Sequence, residues 1–337
     1  MANEDYKHYV GRSSELLPTQ YSKEIIEAMP TQSACLRMMR QLPPISSKVT
    51  RLPMFNSFPS AYFVDEVTGD YAAANTKKTT KIDWTGVTMT MEEIAVIVPV
   101  AEAVINDMAT QNFDLWGMVR PRLVEALGIL VDQAILYDDA GSYAPTSWPD
   151  GIVTQAVTKN NVVSMDDVGP DADFVDLADA LLAVNGLYSL VEQDGYMVNG
   201  AMAGIPMMGR LRGLRDANGQ FLFLNDMKES AGYRVAGVPA TFPNNGAWDD
   251  TEALMVAGDW SQAIYGIRQD ITWKIATEAS IHGSDGSLIY NLFQNDMVAL
   301  RLTMRLGWVL PNPKNLVNQT DGTRFPFAVL TPETQET

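Results

Sequence analysis

Cysteine is nearly absent: Cys35 is the one thiol in 337 residues. No intrachain disulfide can form, which excludes a secreted scaffold held by bridges, and a lone thiol reads as a small buried hydrophobe. Histidine is almost as scarce, with only His8 and His282. Neither an HExxH zinc helix nor a Cys/His cluster can be built from that inventory, and triads that recruit imidazole lose their base. Positive charge is short as well, since 24 Lys and Arg stand against 41 Asp and Glu, a formal net charge of −17. Such a surface repels nucleic acid and anionic lipid, because phosphate binding depends on basic side chains that release counterions. No run approaches the ~18 apolar residues of a membrane span. The first residues, MANEDYKHYVGR, lack the apolar region of a signal peptide. The expectation is a soluble protein made in a reducing cytoplasm.

What is present is a globular composition, 46% apolar and 19% charged. A chain of this length buries roughly 75% of its unfolded surface, as one large domain or two ordinary ones. Motifs for catalysis fail on inspection. Gly204 to Leu211 mimics the glycine spacing of a phosphate loop, but Arg210 replaces the essential Lys, Leu211 replaces the Ser/Thr, and Pro206 removes a backbone N–H. The acids Asp166 to Asp179 do not form an EF-hand, since a loop starting at Asp171 has Asp176 where Gly is needed and Leu182 where Glu is needed. Pro170 and Asp171 instead read as a helix start with acids in its first turn. Asp138-Asp139 and Asp249-Asp250 read as solvated loop charges. No catalytic residue, metal or cofactor is expected. A carboxylate-dependent enzyme using residues 138–139 or 166–179 stays as an alternative, because acid pairs meet in space rather than along the chain.

Along the chain, Tyr21 to Met29 has helical spacing (Ile25, Ile26, Met29), stopped by Pro30, and Leu36, Met38, Met39 and Leu42 continue it to Pro43-Pro44. Such short amphipathic pieces need a further surface to cover them. Residues 54–98 read as a long two-stranded excursion, with runs Ala61 to Val67 and Ile82 to Val98. A polar tip between them carries Lys77, Lys78 and Lys81, read as solvated edge charge or as a basic tip docking on an acidic patch of another copy. Pro99 then opens a period-3.6 segment to residue 137, which would span ~58 Å if Gly117 and Pro121 did not kink or split it. That length predicts a flat, elongated subunit. Residues 151–260 alternate short elements: a helix near Phe174 to Gln193, a strand Gly195 to Asn199, a helix near Ala201 to Leu214, and a turn at Asp216-Ala217-Asn218-Gly219. Residues 261–330 read as extended, with strands over Asp270 to Ala276 and Asn295 to Leu310.

The order of parts, with several strings, resembles the major capsid proteins of tailed bacteriophages, the Hong Kong 97-type fold. Trp84-Thr85-Gly86 followed by Val98-Pro99-Val100 is similar to that family's exit from its extended loop into the spine helix. Asp132-Gln133-Ala134-Ile135-Leu136, then Gly141 and Pro149-Asp150-Gly151-Ile152, resembles its next passage. Leu211 to Gly219, Val235-Ala236-Gly237-Val238-Pro239, Gly258-Asp259-Trp260-Ser261 and Asp296 to Arg301 with Arg305 follow in order. The resemblance implies an α+β fold with an N-arm (1–53), an E-loop (54–98), a P-domain spine helix and following loop (99–150), an A-domain (151–260), and P-domain strands with a C-terminal segment (261–337). It implies a non-enzymatic shell protein that assembles with itself as pentamers and hexamers into an icosahedral head around double-stranded DNA. No sequence-specific DNA contact and no membrane are involved. The arm and E-loop would lie on neighbouring subunits, with inter-subunit contacts at Ile25, Ile26, Met29, Asp65, Glu66, Lys77, Lys78, Lys81, Arg120 and Arg122. With no large scaffolding domain expected ahead of the arm, a separate scaffold protein, a portal and a decoration protein are the further partners implied. The location implied is the virion, assembled in the host bacterial cytoplasm. Some members cross-link an E-loop Lys to a neighbour's Asn, which here would be Lys77, Lys78 or Lys81 with Asn312 or Asn315. An encapsulin-like nanocompartment shell is the alternative within the same fold.

Overall fold

The computed structural model describes residues 33–55, 57–59, 61, 80, 82–110, 115–169, 173–215, 220–221, 233–283, 286–320 and 322–333. The chain begins there with α1 (Ala34–Met38) and β1 (Arg40–Gln41), then β2 (Val49–Phe55), β3 (Trp84–Thr90) and β4 (Glu92–Ala101). Helices α2 (Glu102–Thr110), α3 (Leu115–Tyr137) and α4 (Ile152–Thr158) follow. The middle of the chain alternates β5 (Val162–Ser164), α5 (Leu177–Leu182), α6 (Leu187–Gln193), β6 (Gly200–Ala203), α7 (Ile205–Gly213), β7 (Tyr233–Val235), β8 (Val238–Thr241) and β9 (Met255–Gly258). Last come β10 (Ile264–Ala276), β11 (Ser280–His282), β12 (Leu288–Asn291), β13 (Met297–Val309) and β14 (Phe327–Thr331).

Two larger sheets organise these elements. One has the order β1-β10-β13-β4, with the 13-residue β13 antiparallel to a strand on each side. The other has the order β5-β14-β9-β6-β8-β7. Side-chain alternation splits the second sheet between two cores. Met202, Val256, Phe327 and Val329 join the core built on α1, α3 and α4, which also takes Leu302, Met304 and Leu306 from β13. Their neighbours Ala201, Ala203, Met255, Ala257, Ala328 and Leu330 join a second core covered by α5, α6 and α7. One sheet therefore walls off both.

Several sequence expectations need correction. Pro99 does not open a helix: it pairs with Ala299 inside β4, and the helix starts at Glu102. The β-branched run Ile94, Val96, Ile97, Val98 and Val100 continues the ladder, and proline is tolerated because β4 is an edge strand. The run 82–98 is two strands in two sheets, divided at Met91, whose side chain is buried. Helix α3 passes through Gly117 and Pro121; its 23 residues span about 35 Å rather than the full ~58 Å. The helix expected over 174–193 is two, parted where Asn185 takes a φ of 65° and Gly186 approaches the Ala180 carbonyl too closely for a Cβ. Asp176 caps the first of them, accepting from the Asp179 N–H at 3.0 Å, while Pro170 and Asp171, read from sequence as a helix start, lie outside the described residues. The strand expected at 195–199 lies at Gly200–Ala203, and α7 starts at Ile205 rather than near Ala201. The helical run expected to reach Leu42 stops at Met38 and turns into β1. His282 closes β11.

Asp138 is also not a solvated loop charge. It is 1% exposed and accepts from the backbone N–H groups of Tyr143 and Ala144 at 2.7 and 2.9 Å. The Gly151 N–H donates to its carbonyl at 2.7 Å, so one residue ties both ends of the 138–151 loop. A Cβ on Gly151 would stand 2.5 Å from the Leu136 carbonyl oxygen, which explains the glycine.

Candidate assembly surfaces

The two-stranded sheet β2–β3 is the first candidate. Its register runs from Val49 opposite Thr90 to Phe55 opposite Trp84. The root is packed, with Leu52 and Val87 against buried Met89, Met91 and Val309. The far end is not. Phe55 and Trp84 stack with ring centroids 4.2 Å apart, yet Trp84 stays 64% exposed. Alternation sends Val49, Arg51, Pro53 and Phe55 outward along β2, three of the four apolar. A groove of about 390 Å³ opens beneath, lined by Leu42, Pro53, Phe58, Pro311 and Lys314 among others. The aromatic pair is thus left facing solvent at the far end of the β2–β3 ladder.

The second feature fixes where the N-terminal segment meets the body. Asp132, buried on α3, accepts from Ser33 Oγ at 2.5 Å, from the N–H groups of Ala34 and Cys35 at 3.0 and 3.1 Å, and from Asn245 Nδ2 at 2.7 Å. Ser33 in turn caps α1 by accepting from the Leu36 N–H at 3.0 Å. The carboxylate satisfies amides at a helix start that have no helical partner, where negative charge is favoured. Cys35 beside it is fully buried, and desolvation, reinforced by the Asp132 charge, pushes its thiol well above the ordinary value.

A third cluster locks the 311–326 segment. Asp194, 7% exposed, accepts from Asn161 Nδ2, Asn318 Nδ2 and the Phe325 N–H at 2.8 to 2.9 Å. Arg324, 2% exposed, donates to the carbonyls of Asn312 and Asn318 at 3.1 and 3.0 Å. Asn312 donates to the Arg324 carbonyl at 2.8 Å, and Asn315 donates to the Asp194 carbonyl at 2.7 Å. Both asparagine amides named as cross-link partners are thus engaged within the chain.

Of the residues named from sequence as inter-subunit contacts, Ile25, Ile26, Met29, Asp65, Glu66, Lys77, Lys78 and Lys81 lie outside the described residues, as does the run 61–67 beyond Ala61. Arg120 and Arg122 stand on α3. Arg120 lies over the Trp273 ring at 5.9 Å, and Arg122 pairs with Glu125 at 2.7 Å. Sequence reasoning missed Asp132, Asp138 and Asp194, since nothing local marks an acid that collects donors distant in sequence. Among the described residues no group of three or more His, Cys, Asp or Glu is placed to hold a metal ion, and no helix is long and apolar enough to cross a membrane.

Residues 14–318 match the sequence model of the phage capsid family, and the chain belongs to that family. The major capsid protein of Staphylococcus phage 80alpha is 24% identical over 301 residues, 88% of this chain and 82% of that one. A solved chain from Microbacterium phage Oxtober96 is 35% identical, with a TM-score of 0.73 over 89% of this chain and 91% of the other. A chain from Mycobacterium phage Adephagia is 29% identical, with a TM-score of 0.72 over 90% and 91%. The role is that of a phage major capsid protein, non-enzymatic and part of the virion.

Proposed function

We propose that copies of this chain associate as pentamers and hexamers and close into the icosahedral head of a tailed phage, enclosing its double-stranded DNA. On this reading the fold is Hong Kong 97-type, with N-arm 1–53, E-loop 54–98, P-domain 99–150 and 261–337, and A-domain 151–260. Ile25, Ile26, Met29, Asp65, Glu66, Lys77, Lys78, Lys81, Arg120 and Arg122 act between copies. The exposed Phe55–Trp84 pair carries the proposal, because a two-stranded hairpin is marginal alone and an aromatic end gains by burial on a neighbour. Each contact is modest; strength comes from holding every copy at several points. The net charge of −17 suits a wall along which DNA slides during packaging. Assembly takes place in the host cytoplasm, with a separate scaffold protein, a portal and a decoration protein as further partners.

The test is microscopy and sedimentation of the purified chain, alone and with scaffold. Shells are expected from the full chain, and soluble capsomer-sized species after deletion of residues 1–20 or 70–80. Intact shells from both deletions would overturn the role given to the two extensions, and a chain monomeric under every condition would overturn the proposal itself.

A further inference from the structure

Charge is segregated along the middle of the chain. Between Lys159 and Arg210 the sequence holds no Lys or Arg but eight Asp and Glu; Arg210, Arg212 and Arg215 then follow within six residues. The exposed charges described at the two edges of the six-stranded sheet differ in sign. β5 forms one edge and leads directly into the turn bearing Asp166 and Asp167, both exposed. Exposed Asp173 follows, next to the isolated bridge between Val168 and Phe174. β7 forms the other edge, with Arg234 exposed on it. Helix α7, which follows β6 in the chain, carries exposed Arg210 and Arg212 in its last turn. Arg215 lies over the Phe221 ring at 4.2 Å. Five strand spacings of about 4.8 Å separate the edges by about 24 Å.

Each edge also exposes apolar surface. Val175 is 68% exposed among the acids, and Phe221 and Tyr233 are 43% and 40% exposed among the arginines. We propose that the acidic β5 edge of one copy docks on the basic β7 edge of the next, a head-to-tail contact that closes into a ring. The inference rests on the self-assembly reading above and names the faces that meet. A second copy fits better than a nucleic acid, because a polyanion would engage the arginines and leave the acidic, apolar edge without a partner. Copies carrying −17 each repel at long range. A local reversal of sign is what lets two of them approach in one orientation, and a heterologous contact of this kind generates rings rather than isologous dimers.

The test uses two variants of the full chain. Arg210→Glu with Arg234→Glu makes both edges acidic; Asp167→Arg with Asp173→Arg makes both basic. Each alone is expected to keep its circular dichroism spectrum and melting curve while losing at least tenfold in assembled fraction by sedimentation. The two mixed can alternate only around even rings, so six-membered rings should return and five-membered rings should not. All four changes in one chain should restore both. Variants that assemble like the parent would overturn the inference, as would folded variants rescued by neither mixing nor combination. Shells that form unchanged but lose co-purifying nucleic acid would assign the arginines to the genome and overturn it too. Failure of the unaltered chain to assemble would strike the proposed function instead.

Discussion

Gly266 and Gly307 face each other across the β10–β13 ladder, and the side chain of Met91 fills the space that their missing Cβ atoms leave. A Cβ on Gly307 would stand 2.6 Å from the Thr90 carbonyl oxygen and 2.8 Å from Met91 Sδ; one on Gly266 would stand 2.6 Å from Ile45 Cδ1. The paired glycines are a saddle over which the root of the β2–β3 hairpin crosses the four-stranded sheet.

Gly307→Ala is therefore expected to lower stability by about 1–3 kcal/mol, the usual cost of overpacking against backbone that cannot yield. Gly209→Ala on α7 meets no atom within 4 Å and is expected to be neutral or stabilising by about 0.5–1 kcal/mol. Denaturant melts of the two variants against the parent check the contrast; equal midpoints for both would refute it.

Asp132→Ala removes the acceptor shared by Ser33, two backbone N–H groups and Asn245. Each buried donor left unpaired costs about 1–3 kcal/mol. The variant should melt earlier, and limited proteolysis should cut near residue 33 faster than in the parent. A cleavage pattern unchanged in rate would show that the anchor does not hold the segment.

The Cys35 thiol is held protonated by burial and by the neighbouring carboxylate. It should resist a thiol reagent at pH 8 in native protein and react fully in denaturant, as reactivity follows the thiolate fraction and access. Rapid labelling of the folded chain would contradict the packing of α1.

Tyr137 and Tyr188 are both raised above their ordinary value of 10, by desolvation foremost. A raised folded pKa contributes stability that is present in full below pH 10 and is lost as pH rises beyond it, because the unfolded chain then releases protons that the folded one retains. Alkaline titration should show unfolding and phenolate absorbance rising together above pH 10. Tyr188→Phe should shift that transition upward in pH, despite losing the bond from its hydroxyl to the Val235 carbonyl.

Local signals read well where one residue settles the matter. The extended run Asn295 to Leu310 announced β13, and the period-3.6 spacing up to residue 137 announced α3. They failed where a distant partner decides. Pro99 looked like a helix start because nothing nearby shows that Ala299 will pair with it, and Asp138 looked solvated because its donors lie on a loop that folds back over it. The uneven charge of residues 160–215 was present in the sequence as a stretch, 160–209, without Lys or Arg, followed by three arginines. It acquires meaning once the strand order places β5 and β7 at opposite ends.

Because Met202 and Ala201 point into different cores from neighbouring positions, the six strands act as a party wall between two rooms. Loosening one side strips support from the other, so the body should resist bending and melt as a unit. On the proposed ring assembly, a change of curvature from one ring size to another would be taken up between copies rather than within this body.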